Sequence, residues 1–137
     1  MKGLGEAVTV RMWYRALVGV VAMLVLAPSV SMAETVMISM KDRAFHPQRI
    51  VVKVGDRVQW VNDDTELHNV ISGVTPYDPY LGDPMMSGIV MWNASYVFTF
   101  TTPGSYPYLC FIHSSMEDPS AGVKGMVGEI VVKEERP

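Results

Sequence analysis

The sequence reads YPYLCFIH over residues 106–113 and, further along the chain, GMVGEIVV over residues 125–132. The first segment contains Cys110, the only cysteine, with His113 three residues later, and the second contains Met126 just before an apolar strand. A thiol, an imidazole and a thioether form a ligand set that suits a soft metal ion better than an apolar core. We therefore interpret this stretch as part of a copper site around which the rest of the chain is organised.

The trigonal plane of an electron-transfer copper site contains two histidines and one cysteine, so one imidazole is missing from this stretch. His68 is the candidate, because it follows the polar cluster of residues 62–66 at the point where an apolar segment begins. The alternative is that His68 is a solvated histidine beside acidic residues. Asn69 is expected to tie the two ligand loops together through its side chain. His46 has no other ligand type beside it and is predicted to be a turn or surface residue without a metal role.

The start of the chain has the organisation of a secretory signal peptide. Basic residues precede an apolar run over residues 16–30, and a small-x-small cleavage pattern ends at Ala33. A membrane anchor is the alternative, but a spanning helix needs about 20 apolar residues, and this run is shorter and broken by Pro28. No cysteine lies directly after the run, which excludes a lipoprotein anchor. We predict that residues 1–33 are removed and that residues 34–137 form one domain, periplasmic or otherwise exported, which does not span a membrane.

The charge and the cysteine count limit the partners of the chain. The whole sequence has a net charge of −3, and removal of the signal takes three basic residues and one acidic residue, which leaves about −5. A nucleic-acid-binding domain normally has a basic patch and a basic excess, so nothing here indicates such a partner. A basic protein surface is the expected electrostatic complement. In an oxidising compartment a lone cysteine is a buried inert residue, an intermolecular link or a metal ligand, and the nearby His113 favours the ligand.

The chain after the signal has the pattern of short strands. Alternating or β-branched runs occur at residues 35–40, 49–54, 57–62, 95–101 and 105–109. Gly55-Asp56 between two of these runs is a hairpin signal. Residues 72–86 are dense in proline and glycine, which predicts irregular structure. No helical periodicity is present, and about seven strands separated by turns predict an antiparallel β-sandwich.

Four segments taken together resemble the small blue-copper proteins, or cupredoxins, of the plastocyanin and pseudoazurin type. They are FHPQRIVVKVGDRVQWVN (45–62), DDTELHNV (63–70), TFTTPGSYPYLCFIH (99–113) and GMVGEIVV (125–132). The resemblance implies an antiparallel Greek-key β-sandwich that binds one type 1 copper ion. It further implies that His68, Cys110 and His113 bind the copper and that Met126 is the weak axial ligand.

The loop after His113 departs from the pattern of these relatives, because residues 114–125 separate that histidine from Met126. Met116 lies three residues after His113, a spacing that resembles the shorter ligand loops of the family, and it is the alternative axial ligand. We favour Met126 because the start of a paired strand holds an axial ligand better than an irregular loop does. The glycine before it would also let the backbone approach the metal closely.

The resemblance implies a periplasmic electron carrier that cycles one copper ion between Cu(II) and Cu(I). It would be a monomer that docks transiently with larger redox proteins, its electron donor and acceptor. It is not expected to be an enzyme, because copper enzymes with further copper centres need more imidazoles than the three histidines present. The edge of His113, rimmed by Met85 or Met86, is the expected path of the electrons. The alternative function is copper delivery or tolerance, since thioethers favour Cu(I) and the chain has 11 methionines, although methionine also fills gaps in cores.

Overall fold

The computed structural model describes residues 32–116 and 122–134, and these ranges form eight β-strands. The strands are β1 (Thr35–Lys41), β2 (Ala44–His46), β3 (Arg49–Lys53), β4 (Arg57–Asn62), β5 (Ile71–Ser72), β6 (Ser95–Thr99), β7 (Gly104–Ser115) and β8 (Lys124–Lys133). Within the described ranges there is no helix of the length and apolarity that crossing a membrane requires. The predicted signal peptide falls almost wholly on residues 1–31, outside the described residues, so cleavage after Ala33 stays a prediction.

The strands form two four-stranded sheets, ordered β2-β1-β4-β6 and β3-β8-β7-β5. This arrangement confirms the all-β sandwich, but the pairing is not antiparallel throughout as the sequence predicted. Strand β1 runs parallel to β4, and β3 runs parallel to β8. Parallel neighbours need a crossover connection. The chain provides one by passing from β1 through β3 in the other sheet before it returns as β4.

The predicted hairpin through Gly55 and Asp56 is wrong, because β3 and β4 lie in different sheets. Gly55 has a φ of 94°, in the left-handed region that favours glycine, and its N–H donates to the Phe100 carbonyl at 2.7 Å. The Asp56 carboxylate accepts the N–H groups of Lys53 at 2.8 Å and of Glu34 at 2.9 Å. These bonds stabilise a turn that carries the chain from one sheet to the other.

An aromatic cluster joins the two sheets. Side chains of β4 alternate between buried and less buried positions, and Trp60 is fully buried. Its ring packs edge-on against Tyr108 of β7, with the ring centroids 5.5 Å apart, and Phe45 of β2 lies 4.6 Å from the same tyrosine ring. Truncation of a buried aromatic side chain costs about 3–5 kcal/mol. The cluster therefore holds β7, the strand with two of the predicted ligands, firmly in the sandwich.

Candidate metal centre

The structure brings the side chains of His68, Cys110 and His113 together. The Nδ1 atoms of His68 and His113 are 3.1 Å apart, and the Cys110 Sγ lies 3.9 Å from the first and 3.6 Å from the second. His68 and Cys110 are fully buried, whereas 13% of the His113 side chain is exposed. The three donor atoms thus face one another from a loop and a strand that are far apart in sequence.

This donor triangle has the size and the chemistry of a type 1 copper site. A point equidistant from the three atoms lies about 2 Å from each, close to the length of a bond between an imidazole nitrogen and a first-row metal ion. A thiolate with two imidazoles is the set found in trigonal copper sites. The reading of His68 as a solvated histidine is wrong, because none of its side chain is exposed. His46 is exposed in β2, with Nε2 3.2 Å from the Lys41 carbonyl oxygen, and is not part of the group.

The loop that contains His68 folds around the side chain of Asn62, the last residue of β4. The Asn62 amide donates to the carbonyls of Glu66 and Val90, both at 2.9 Å, and its Oδ1 accepts the N–H of Asp64 at 2.9 Å. His68 forms an isolated β-bridge with Val90, whose N–H donates to the His68 carbonyl at 2.8 Å. One buried amide therefore fixes both segments that position His68.

Asn69 joins the His68 loop to β7, as the sequence predicted. Its Oδ1 accepts the N–H of Phe111 at a distance of 2.7 Å. Phe111 directly follows Cys110 and lies two residues before His113. The bond therefore restrains the backbone that carries two of the predicted ligands relative to the third, as contacts behind a metal ligand commonly do.

The pairing of β7 with β8 is interrupted where β7 carries Cys110 and His113. The register of the two strands holds up to Leu109 and resumes at Ser114, with an irregularity between them. Such an interruption changes the direction of side chains, which lets both ligands converge here. Gly125 of β8 has a φ of 103°, and a Cβ at this position would overlap the carbonyl oxygen of His113. Only glycine allows this close approach of the two strands.

Met126 directly follows this glycine, and its side chain is fully buried. Its carbonyl accepts a hydrogen bond from the Ser114 hydroxyl at 3.0 Å. Its neighbour Gly125 pairs with Ser114 and lies against the carbonyl oxygen of His113. The backbone of Met126 therefore lies beside the predicted site.

Met116 lies beyond the end of β7. The sequence predicted an irregular loop directly after His113, but β7 continues to Ser115, which pairs with Lys124 of β8. An extended chain rises about 3.3 Å per residue, so Met116 is about 10 Å along the strand from His113. The tip of this connection, residues 117–121, lies outside the described residues.

Two carboxylates of the polar cluster before His68 contact the outer nitrogens of the histidines. His68 Nε2 lies 3.4 Å from Asp64 Oδ2, and His113 Nε2 lies 3.0 Å from Glu66 Oε2. Arg43, between β1 and β2, holds Glu66 through two contacts of 2.8 Å. The signal available in the sequence was the position of these acids, four and two residues before a candidate ligand. A carboxylate on the second nitrogen orients a metal-binding imidazole.

These contacts set the charges around the site. The hydrogen bond from Arg43 lowers the pKa of Glu66 below its usual value. Partial desolvation is the largest single effect on the pKa of Asp64, and it raises this pKa. Several hydrogen bonds, including those from the Glu66 N–H and from His68, together have a larger opposite effect, so the pKa lies below its usual value. Burial, and then the neighbouring His68, lowers the pKa of His113. At neutral pH both acids are therefore charged and His113 is neutral, the form in which an imidazole binds a metal.

Exposed apolar side chains lie beside the ligands along the chain. Leu67, Phe111 and Ile112 are 45%, 48% and 45% exposed. Of the two methionines predicted to rim His113, Met86 is exposed, but Met85 is fully buried, so a place for Met85 in the rim is wrong. Phe111 and Ile112 are consecutive and both exposed, so the alternation of a regular strand is broken where β7 is irregular.

Comparisons with known proteins agree with this geometry. A family model described as copper binding proteins of the plastocyanin/azurin family matches residues 32–133. Amicyanin from Paracoccus versutus is 29% identical over 86 residues, which are 61% of this chain and 61% of that protein. Plastocyanin from a Synechococcus species is 31% identical over 109 residues, 73% of this chain and 74% of that protein. The chain spans about three fifths of the length of the amicyanin, and 58% of a chloroplastic plastocyanin from Tetradesmus obliquus.

Solved structures show the same fold. A variant of amicyanin in its reduced Cu(I) form superposes with a TM-score of 0.56 at 27% identity, covering 77% of this chain and 87% of that one. A second amicyanin variant, in the oxidised state, gives a TM-score of 0.55 at 25% identity over 72% of this chain and 82% of that one. The sandwich and the donor triangle therefore occur together with sequence similarity to blue-copper proteins.

Proposed function

The chain belongs to the plastocyanin/azurin family of copper-binding proteins, and we propose that it is an exported type 1 copper electron carrier. It takes one electron from a reduced donor protein and passes it to an oxidised acceptor protein. Both partners are larger redox proteins that dock transiently with this monomer. The observation that supports this function is the meeting of His68 Nδ1, His113 Nδ1 and Cys110 Sγ within 3.9 Å of one another.

In this proposal His68, Cys110 and His113 would hold the copper ion, and Met126 would be its weaker fourth ligand. When bound, copper supplies a one-electron couple between Cu(II) and Cu(I), in which the thiolate favours Cu(I) and the imidazoles serve both states. Burial of Cys110 keeps its sulfur away from solvent oxidants. Burial of His68 and Met126 excludes water from the other sides of the site.

Contacts within the protein hold the predicted ligands in position without a bound metal ion. The Asn62 amide holds the His68 loop, and Asn69 ties that loop to Phe111. The close approach of Gly125 to the His113 carbonyl packs β7 and β8 tightly against each other, so that a shift of either strand would lose packing contacts. A site whose ligands are held in this way rearranges little when its charge changes by one electron. Small rearrangement suits an electron carrier better than a protein that releases its metal.

Electrons are proposed to pass through the edge of His113. Its side chain is 13% exposed, whereas that of His68 is 0% exposed. Ile112 and Phe111, directly before His113 in β7, add exposed apolar surface. Apolar surfaces at the centre of an interface pack closely and exclude water, which would bring a partner's redox centre near this edge.

Substitution of Ile112 by lysine tests this path. Ile112→Lys is expected to slow electron self-exchange of the copper-loaded protein about tenfold, because a charge in the apolar contact raises the docking free energy by about 1.4 kcal/mol. Val51→Lys is the matched control, since Val51 is 52% exposed in β3, a strand that has no predicted ligand. NMR line broadening in mixtures of the oxidised and reduced forms measures both rates. Equal rates in the two variants would show that electrons leave by another path.

Export is proposed for residues 34–137 after removal of the signal peptide, residues 1–33. The features that support it are the charged start, the apolar run and the cleavage pattern of the sequence. A copper thiolate also suits an oxidising compartment in which this lone cysteine has no disulfide partner. N-terminal sequencing of the protein from the periplasmic fraction tests the proposal, and a mature chain that retains Met1 would contradict it.

A second candidate function is copper delivery or tolerance, which the exposed thioethers of Met86 and Met91 favour. A delivery protein must exchange its copper, whereas a carrier must keep it. We expect voltammetry of the copper-loaded protein to give a reversible one-electron wave, and we expect an excess of a Cu(I) chelator to remove little copper. Met86→Ala and Met91→Ala should change neither result. An irreversible wave with rapid loss of copper to the chelator would favour delivery instead.

A further inference from the structure

The outer nitrogen of His113, Nε2, contacts a carboxylate that is itself paired with an arginine. Glu66 Oε2 lies 3.0 Å from His113 Nε2. The same carboxylate receives the Arg43 guanidinium, with Nε 2.8 Å from Oε2 and Nη2 2.8 Å from Oε1. A two-point contact of this kind fixes the carboxylate as well as neutralising part of its charge. Arg43, Glu66 and His113 thus form a chain of contacts that leads from the surface to the ligand plane.

The contact determines which nitrogen of His113 faces the metal position. Nδ1 of this ring lies 3.6 Å from Cys110 Sγ and 3.1 Å from His68 Nδ1, inside the donor triangle. A neutral imidazole has one N–H and one free lone pair. With Nδ1 inside the triangle, Nε2 faces the Glu66 carboxylate at 3.0 Å, the contact that a hydrogen on Nε2 would favour. The carboxylate therefore selects the tautomer and the ring orientation that leave Nδ1 free for copper.

We propose that Glu66, held by Arg43, is a positioning residue that sets the reduction potential of the copper site through His113. The inference rests on the proposed function, since it requires copper at the donor triangle. A carboxylate at Nε2 makes the imidazole a more basic ligand, and its negative charge favours Cu(II) over Cu(I). Arg43 opposes this effect, so the two residues shift the potential in opposite directions.

The Asp64 contact with His68 does not duplicate this arrangement. Asp64 Oδ2 is 3.4 Å from His68 Nε2, further than Glu66 is from His113. The same Asp64 oxygen also accepts the N–H of Asp42 at 3.0 Å, and the other oxygen accepts the N–H of Thr65 at 2.8 Å. Asp64 is thus occupied mainly with the backbone, whereas the polar contacts of the Glu66 carboxylate are to Arg43 and His113.

The test compares two glutamates that sit in similar ion pairs. Glu66→Gln keeps the shape of the side chain and removes its charge. We expect the preference of the site for Cu(II) over Cu(I) to fall about tenfold, which raises the potential by about 59 mV. Glu129→Gln is the control, because Glu129 pairs with Arg49 at 2.6 Å and has nearly the same exposure, 36% against 39% for Glu66. It removes the same charge without a contact to either histidine, and its potential should stay near that of the wild type.

Two further measurements separate positioning from general electrostatics. Arg43→Gln is expected to lower the potential, and it tests the proposal even if Glu66→Gln fails to load copper. In the copper-free protein, nitrogen chemical shifts of His113 should report hydrogen on Nε2 in the wild type and a mixture of tautomers in Glu66→Gln. The proposal is overturned if Glu66→Gln has the potential and the tautomer of Glu129→Gln. Absence of the thiolate charge-transfer band from the wild-type protein would instead overturn the proposed function.

Discussion

Replacement of Cys110 by serine is expected to abolish the intense visible absorption of the oxidised, copper-loaded protein. That absorption requires charge transfer between a thiolate and Cu(II), and Cys110 is the only thiol of the chain. A serine hydroxyl fits the fully buried position but is a hard donor. Loss of a residue that only supports a metal ligand typically lowers metal affinity roughly 10- to 100-fold. We expect the loss of the ligand itself to lower copper affinity at least as much. Absorption spectra and competition with a chelator measure the two effects.

The fold is expected to survive this substitution. A buried hydroxyl without a partner costs about 1–3 kcal/mol, less than the about 5–15 kcal/mol by which a domain is normally stable. Circular dichroism of the copper-free variant should therefore still show a β-rich protein. His46→Gln is the control, because the exposed imidazole of β2 lies outside the ligand group, and the band should persist in it. A copper-loaded wild type without colour would contradict the type 1 site itself.

The sequence was sufficient to predict the sandwich, because alternation and turn residues are local signals. It was not sufficient to pair the strands. The two β-branched runs around Gly55 have the pattern of a hairpin, yet their partners are distant in sequence: Val52 pairs with Val132, and Val58 pairs with Phe98 and Val36. A turn motif specifies that the chain reverses or bends, and the burial of each strand's apolar face decides which sheet receives it.

The metal ligands could be predicted from the sequence, because each is identified by its residue type alone. Cysteine and histidine at short spacing indicated a metal, and Asn69 was recognised because it follows a candidate ligand. The contact between Glu66 and His113 was not predicted, because it joins an acid and an imidazole 47 residues apart through side chains whose directions depend on the fold. Arg43, which completes this ion pair, lies in a turn with no motif of its own.

Two methionines are candidates for the axial ligand. Met126 is buried in β8 directly after Gly125, which lies against the His113 carbonyl, and its own carbonyl accepts the Ser114 hydroxyl. Met116 is about 10 Å further along the extended chain from that histidine. An axial thioether is one determinant of the potential of a type 1 site. An amide in its place is a harder donor, which favours Cu(II) and therefore lowers the potential.

Met126→Gln is thus expected to lower the potential by about 59 mV or more, a tenfold change in the preference between the two copper states, and to change the visible spectrum. Met116→Gln should leave both unchanged. Because an amide in the core also costs stability, Met40→Gln is the control: Met40 is fully buried in β1, in the sheet that has no predicted ligand. It should destabilise the protein to a similar extent without a change in potential. If Met116→Gln alters the potential and Met126→Gln does not, the axial ligand is Met116, and β7 must then bend after His113 when copper binds.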